Sequence, residues 1–130
     1  MRIFTRSILV CCLVFPAVAQ AQDDLALTDS FNEKAWHFYA RQPDSTVFYG
    51  QRALELAGKA NYLKGRAVAL NRLARGYAEK GDFRAARSSC LEAIAAARLA
   101  REPRYEAGAF LQLALLDLRE NRFWEALDGG

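Results

Sequence analysis

The chain has 130 residues, 52% of them hydrophobic, enough for one compact domain. Its 18 Lys and Arg exceed its 15 Asp and Glu by a formal +3, and two of the excess, Arg2 and Arg6, stand at the extreme N-terminus. The other arginines are interleaved with Glu79, Asp82, Glu92, Glu102 and Glu106, which argues against the basic patch that nucleic-acid binders use to displace phosphate counterions.

Arg2 and Arg6 precede an apolar run from Ile8 to Val18 that is too short to cross a bilayer of about 30 Å as a helix. Ala19-Gln20-Ala21 follows, a small-x-small pattern that a signal peptidase accepts. Residues 1–21 are therefore expected to be a removable signal peptide and 22–130 an exported domain, periplasmic or secreted. Cys11 and Cys12 would leave with the leader, and Val10 is too bulky to precede a lipid-modified cysteine. Cys90 then remains alone, so no internal disulfide forms and stability must come from packing.

After the leader the chain reads as helical. The first segment carries Ala35, Trp36, Phe38 and Tyr39, with Pro43-Asp44 as a stop and cap before the next helix. Further on, Leu70, Leu73, Ala74 and Tyr77 fall at i, i+3, i+4 and i+7, one face of a helix. Gly81 can take the left-handed conformation that ends such a helix, and Asp82 can cap the following one. Ala86, Cys90, Ala93, Ile94 and Ala97 then form a second stripe, expected to face the first, with Tyr77 and Phe83 filling the space around the alanines.

The same phrases return forty residues later. Ala67 aligns with Ala107, Leu70 with Phe110, Leu73 with Leu113, Ala74 with Ala114, Phe83 with Phe123 and Ala86 with Ala126. Asp117 stands where the earlier copy has Tyr77, and a new helix is expected to begin near Phe123 and stop short at Gly129-Gly130. The same offset backwards sets Glu33, Lys34 and His37 under Leu73, Ala74 and Tyr77, so the first helix is expected to have slipped in register.

Leu73-Ala74, Tyr77, Gly81-Asp82-Phe83, Ala86 and Ala93-Ile94 resemble a tetratricopeptide repeat, in a form longer than the usual unit of about 34 residues. The resemblance extends over roughly residues 30 to 128. It implies an all-α solenoid of antiparallel helical hairpins, about two and a half units of roughly 40 residues. It also implies a non-catalytic module that binds a protein or peptide on the concave face made by the first helix of each hairpin. "AWHFYARQPDSTVFYGQRALELA" is similar to the opening unit of exported sensor regions of bacterial signalling proteins. The expected role is the sensory or scaffolding N-terminal part of an envelope signal-transduction protein. A stand-alone assembly or secretion adaptor, or the accessory region of an envelope enzyme, is the alternative.

Groove-facing candidates are Asn71, Arg72 and Arg75, with Gln112 and Arg119 in the later copy, because amides can hold a peptide backbone and guanidinium groups fork onto carboxylates. An incomplete last unit would leave Phe110, Leu113, Leu116, Phe123 and Trp124 poorly covered, and the chain is expected to be a fragment or to self-associate at that end. His37 is the single histidine, expected on a helix rim, and a histidine-based catalytic pair or metal site would need a second molecule. Trp36 and Trp124 are expected in the core, Cys90 as a small core residue, and Glu102 and Glu106 in surface ion pairs. With glycines dispersed and no phosphate loop, neither catalysis nor a cofactor is expected.

Overall fold

A computed structural model describes the backbone from Arg2 to Gly129 and side-chain surroundings from Pro16 onward. It contains five helices in sequence, α1 (Arg2–Phe38), α2 (Pro43–Lys59), α3 (Leu63–Glu79), α4 (Phe83–Leu99) and α5 (Pro103–Asp128). Each packs antiparallel on the next, and α3 also touches both α1 and α5, which places it at the centre. The side chains of most of the expected leader, residues 1–15, lie outside the described residues. Among those described, no helix is long and apolar enough to cross a membrane.

Three corners share one construction. The amides of Tyr62, Asp82 and Glu102 each donate to the carbonyl five residues back (Ala57, Tyr77 and Ala97), all at 2.9 Å. The preceding amides of Asn61, Gly81 and Arg101 donate to the carbonyls of Gly58, Ala78 and Arg98. This is the Schellman arrangement, which satisfies helix-end carbonyls by putting one residue in the left-handed region. Those residues are Asn61 at φ 51°, Gly81 at φ 78° and Arg101 at φ 55°. Only at the middle corner does a side chain cap the next helix: Asp82 accepts a hydrogen bond from the Ala85 amide at 3.1 Å. Pro43 opens α2 as its first residue, where its missing N–H costs nothing. Asp44 does not cap that helix; its carboxylate instead accepts from Lys80 Nζ at 2.7 Å.

The core lies between α3, α4 and α5. Ala67 and Leu70 meet Ala93, Ile94, Ala96 and Ala97 of α4 and Ala109 of α5. Further along, Ala74 and Ala78 meet Ala86, Cys90 and Leu116, with Tyr77, Phe83 and Leu113 packed around them. Leu73 is buried as well. Small residues on both sides let the backbones approach, and Gly76 shows how closely. A Cβ there would stand 2.9 Å from Val47 Cγ2, closer than carbon atoms tolerate, and 3.1 Å from Thr46 Cγ2, a tight contact. Among the described residues of α1 the buried positions are Thr28, Asn32 and Ala35, one residue out of step with α3, as the charged positions there require.

The later copy departs from expectation. No corner forms near Asn121, and α5 runs unbroken through Phe123 to Asp128. Ala114, Phe123 and Ala126 are exposed, and only Ala109, Gln112 and Leu116 of α5 are buried. Asp117 replaces the aromatic contact of Tyr77 with charge, accepting from Arg87 Nη2 at 2.6 Å. Glu120 accepts from the same nitrogen at 2.9 Å.

Candidate functional site

Because α1 and α5 both flank α3, residues from three helices converge along one side of α3. Trp36 of α1, Asn71, Arg72 and Arg75 of α3, and Arg104, Tyr105 and Gly108 of α5 line a recess of about 300 Å³. A neighbouring recess shares Arg72 and Tyr105 and continues past Asp29, Asn32, Glu33 and Lys64. Together they make a path across α3 with Arg72 at the junction.

Aromatic rings hold the two arginines of α3. Trp36 and Tyr39 stack in parallel, 5.4 Å apart and 5° from coplanar. The Arg72 Cζ lies 4.5 Å from the Trp36 centroid. Arg75 Cζ is 5.1 Å from the same ring and 5.5 Å from Tyr39. Guanidinium groups are attracted to ring faces and are weakly hydrated, so such a seat fixes them without neutralising them.

The charge is left unanswered. Arg52, Arg87, Arg98 and Arg119 each pair with a carboxylate within 4 Å. Among the described residues, Arg72, Arg75 and Arg104 form no such pair. Arg72 Nε is buried and has no hydrogen-bond partner. Burial pushes the Arg72 pKa down from its ordinary value, and Arg75 and Arg104 add to that repulsively. Arginine nonetheless stays protonated in proteins. The recess can therefore bind an anion or a planar group, and no carboxylate, histidine or hydroxyl nucleophile lines it beside the Tyr105 ring.

The five groove candidates fare differently. Arg72 and Arg75 project into the recess. Asn71 reaches its wall but is buried, its amide nitrogen donating to the carbonyls of Ala67 and Tyr105, both at 3.2 Å. Those bonds tie the start of α5 to α3. Gln112 is buried on α5 away from the recess lining. Arg119 is exposed and donates to Glu79 Oε1 at 2.9 Å. Tyr105 and Arg104 enter the site without having been singled out, and Trp36 enters in place of the core role expected for it: it is 47% exposed, and Trp124 is 56% exposed. The spacing of Arg72 and Arg75 placed them together on α3, and nothing in it pointed toward an aromatic seat.

The remaining expectations concern single residues. Cys90 is fully buried, and desolvation pushes its thiol up to about 11 despite Arg87 and Arg75. His37 sits exposed at the end of α1, edge-on to Phe38. Glu106 pairs with Arg98 at 2.6 Å and Glu102 with Lys64 at 4.0 Å, not with their immediate neighbours Arg101 and Arg104. No group of three His, Cys, Asp or Glu among the described residues could hold a metal ion. No family model matches the chain, and no curated protein or solved structure matches it.

Proposed function

We propose that the chain is a non-catalytic protein–protein interaction module, built as a tetratricopeptide-like solenoid, whose α1, α3 and α5 face receives an acidic segment of a partner protein. The observation that carries this reading is the Arg72 guanidinium, half-buried against Trp36 with its Nε unpaired, beside two more unpaired arginines. Leaving a buried donor unsatisfied costs about 1–3 kcal/mol, and a ligand oxygen recovers it. Bidentate pairing of guanidinium with carboxylate adds directional preference. Helix starts at Pro43, Leu63, Phe83 and Pro103, with one corner construction recurring between them, support the repeat reading.

The leader-like N-terminus supports export, with residues 1–21 removed. On this reading the domain serves as the sensory or scaffolding part of an envelope signal-transduction protein.

A fluorescein-labelled hexaglutamate peptide, with hexalysine as control, tests the groove by anisotropy. The acidic peptide should bind and be released by salt, and Arg72→Ala with Arg75→Ala should weaken binding by roughly ten-fold or more. Replacing both with Lys should restore charge but not full affinity, since lysine neither stacks nor forks. Equal binding by the double-alanine variant, with an unchanged melting temperature, would reject this face.

A further inference from the structure

The arginine recess is one end of a longer path. Asp29, Asn32, Glu33 and Trp36 fall at i, i+3, i+4 and i+7, a single face of α1. Trp36 seats the arginines, while the other three line the neighbouring recess of about 290 Å³ that shares Arg72. At about 1.5 Å per residue, these three centre about 7 Å along α1 from Trp36.

Acceptors collect at this end, and little answers them. Asn32 is 4% exposed; its Nδ2 donates to the Gly65 carbonyl at 3.2 Å, which holds the amide, and its Oδ1 is buried with no partner. A buried acceptor without a donor is costly, and a ligand that brings one recovers the loss. Among the described residues, Glu33 pairs with no cation. Asp29 accepts from the Tyr62 hydroxyl, at 3.0 and 3.3 Å to its two oxygens, a bond that leaves its charge in place. The nearby lysines are occupied elsewhere. Lys64 lines the same recess, but its Nζ lies 4.0 Å from Glu102 Oε1, and Lys34 Nζ sits over the Phe31 and Tyr49 rings, 5.7 Å from each centroid.

We infer that this end of the path is a subsite for a lysine side chain of the acidic partner segment, its ammonium received by Asn32, Glu33 and Asp29 while neighbouring carboxylates of the segment meet Arg72 and Arg75. An ammonium has three N–H donors and no acceptor, which matches three acceptor groups. Its stem can lie along Val68 and Tyr105, which also line the recess. A guanidinium is planar and forks onto one carboxylate, so it leaves the other acceptors unmet. An extended chain covers 7 Å in about two residues, which sets the lysine about two residues from the glutamates. The inference rests on the acidic-segment reading above and adds to it one residue of opposite charge.

Two fluorescein-labelled peptides with blocked termini test it by anisotropy: KSEESK, which offers lysine in either chain direction, and QSEESQ. The first should bind the full chain roughly five-fold more tightly, although its net charge suits a protein of formal charge +3 less well. Glu33 is exposed, so Glu33→Gln should keep the parent's melting curve and remove most of that preference. Glu33→Lys should reverse it. In NMR spectra the Asn32 side-chain amide signal should shift with KSEESK and not with QSEESQ. No preference for lysine, while Arg72→Ala with Arg75→Ala still weakens both peptides, would overturn the subsite and leave the acidic-segment reading standing. A preference that survives Glu33→Gln, or an Asn32 signal indifferent to the lysine, would overturn it too. Failure of both peptides and of hexaglutamate to bind would reject the two readings together.

Discussion

Residues 79–86, EKGDFRAA, and residues 119–126, RENRFWEA, align at one offset and fold differently. In the first the chain turns at Gly81, and α4 folds back on α3; in the second the helix runs straight through Asn121. Neither the glycine nor the cap explains the difference alone. Asn61 and Arg101 reach positive φ without glycine, and the helices after them start with no side-chain cap. Asparagine at 121 is as competent for the left-handed region as asparagine at 61.

What separates the two is the burial that follows. Turning at Gly81 allows Ala86, Cys90, Ala93, Ile94 and Ala97 to be buried. Continuing at Asn121 instead carries Phe123 edge-on to Phe83, ring centroids 6.3 Å apart. A corner costs strain, and the helix that follows it must offset that cost by packing.

The widest separation between the two regions should come from one substitution made in both. Ala86→Leu places a larger side chain where no space exists and should destabilise by about 1–3 kcal/mol, read from the urea midpoint at constant slope. Ala126→Leu, on the exposed counterpart, should stay within about 0.5 kcal/mol. Equal effects would erase the distinction.

A smaller effect is expected at the corners themselves. Gly81→Ala forces a Cβ into positive φ and should cost about 1–2 kcal/mol, although the Cβ meets no neighbour. Asn121→Gly should cost only a few tenths of a kcal/mol, about the difference in helix propensity. Loss of helical signal equivalent to a new corner in the Asn121→Gly protein would show that glycine alone decides the turn.

A third effect, absent at neutral pH and appearing only in alkali, is a pH dependence confined to the buried side. The Cys90 thiol is raised from 9.0 to about 11 in the folded chain. A raised folded pKa means that the associated stability is intact below about pH 9 and is lost as pH rises toward 11. Wild type should therefore lose stability relative to Cys90→Ala between pH 8 and 10.5. Tyr62, raised to about 12 by burial and its bond to Asp29, is common to both proteins and cancels. Parallel pH curves would mean that the thiol is not desolvated in solution.

Periodicity made much of this legible beforehand. The stripes of α3 and α4, the left-handed Gly81, the Asp82 cap and the burial of Cys90 are local patterns, and each has a short-range cause. The corners at Asn61 and Arg101 were not legible, because residues that tolerate positive φ only under compulsion give no mark in the sequence. Trp36 misled for a related reason. An aromatic on an amphipathic helix is ordinarily buried, and only the arrival of Arg72 and Arg75 from α3 turns it into a seat for cations. Asn71 shows the reverse: its polar side chain suggested a ligand contact, while the carbonyl of Tyr105, thirty-four residues away, consumes it.

Residue spacing by itself was enough to specify helices, their apolar faces and one of their corners, since those depend on backbone geometry and nearest neighbours along the chain. Which faces close, which arginines remain unpaired and whether a helix turns or continues depended on contacts between α1, α3, α4 and α5. Such contacts are decided by burial summed over distant segments, and no short stretch of sequence contains that sum.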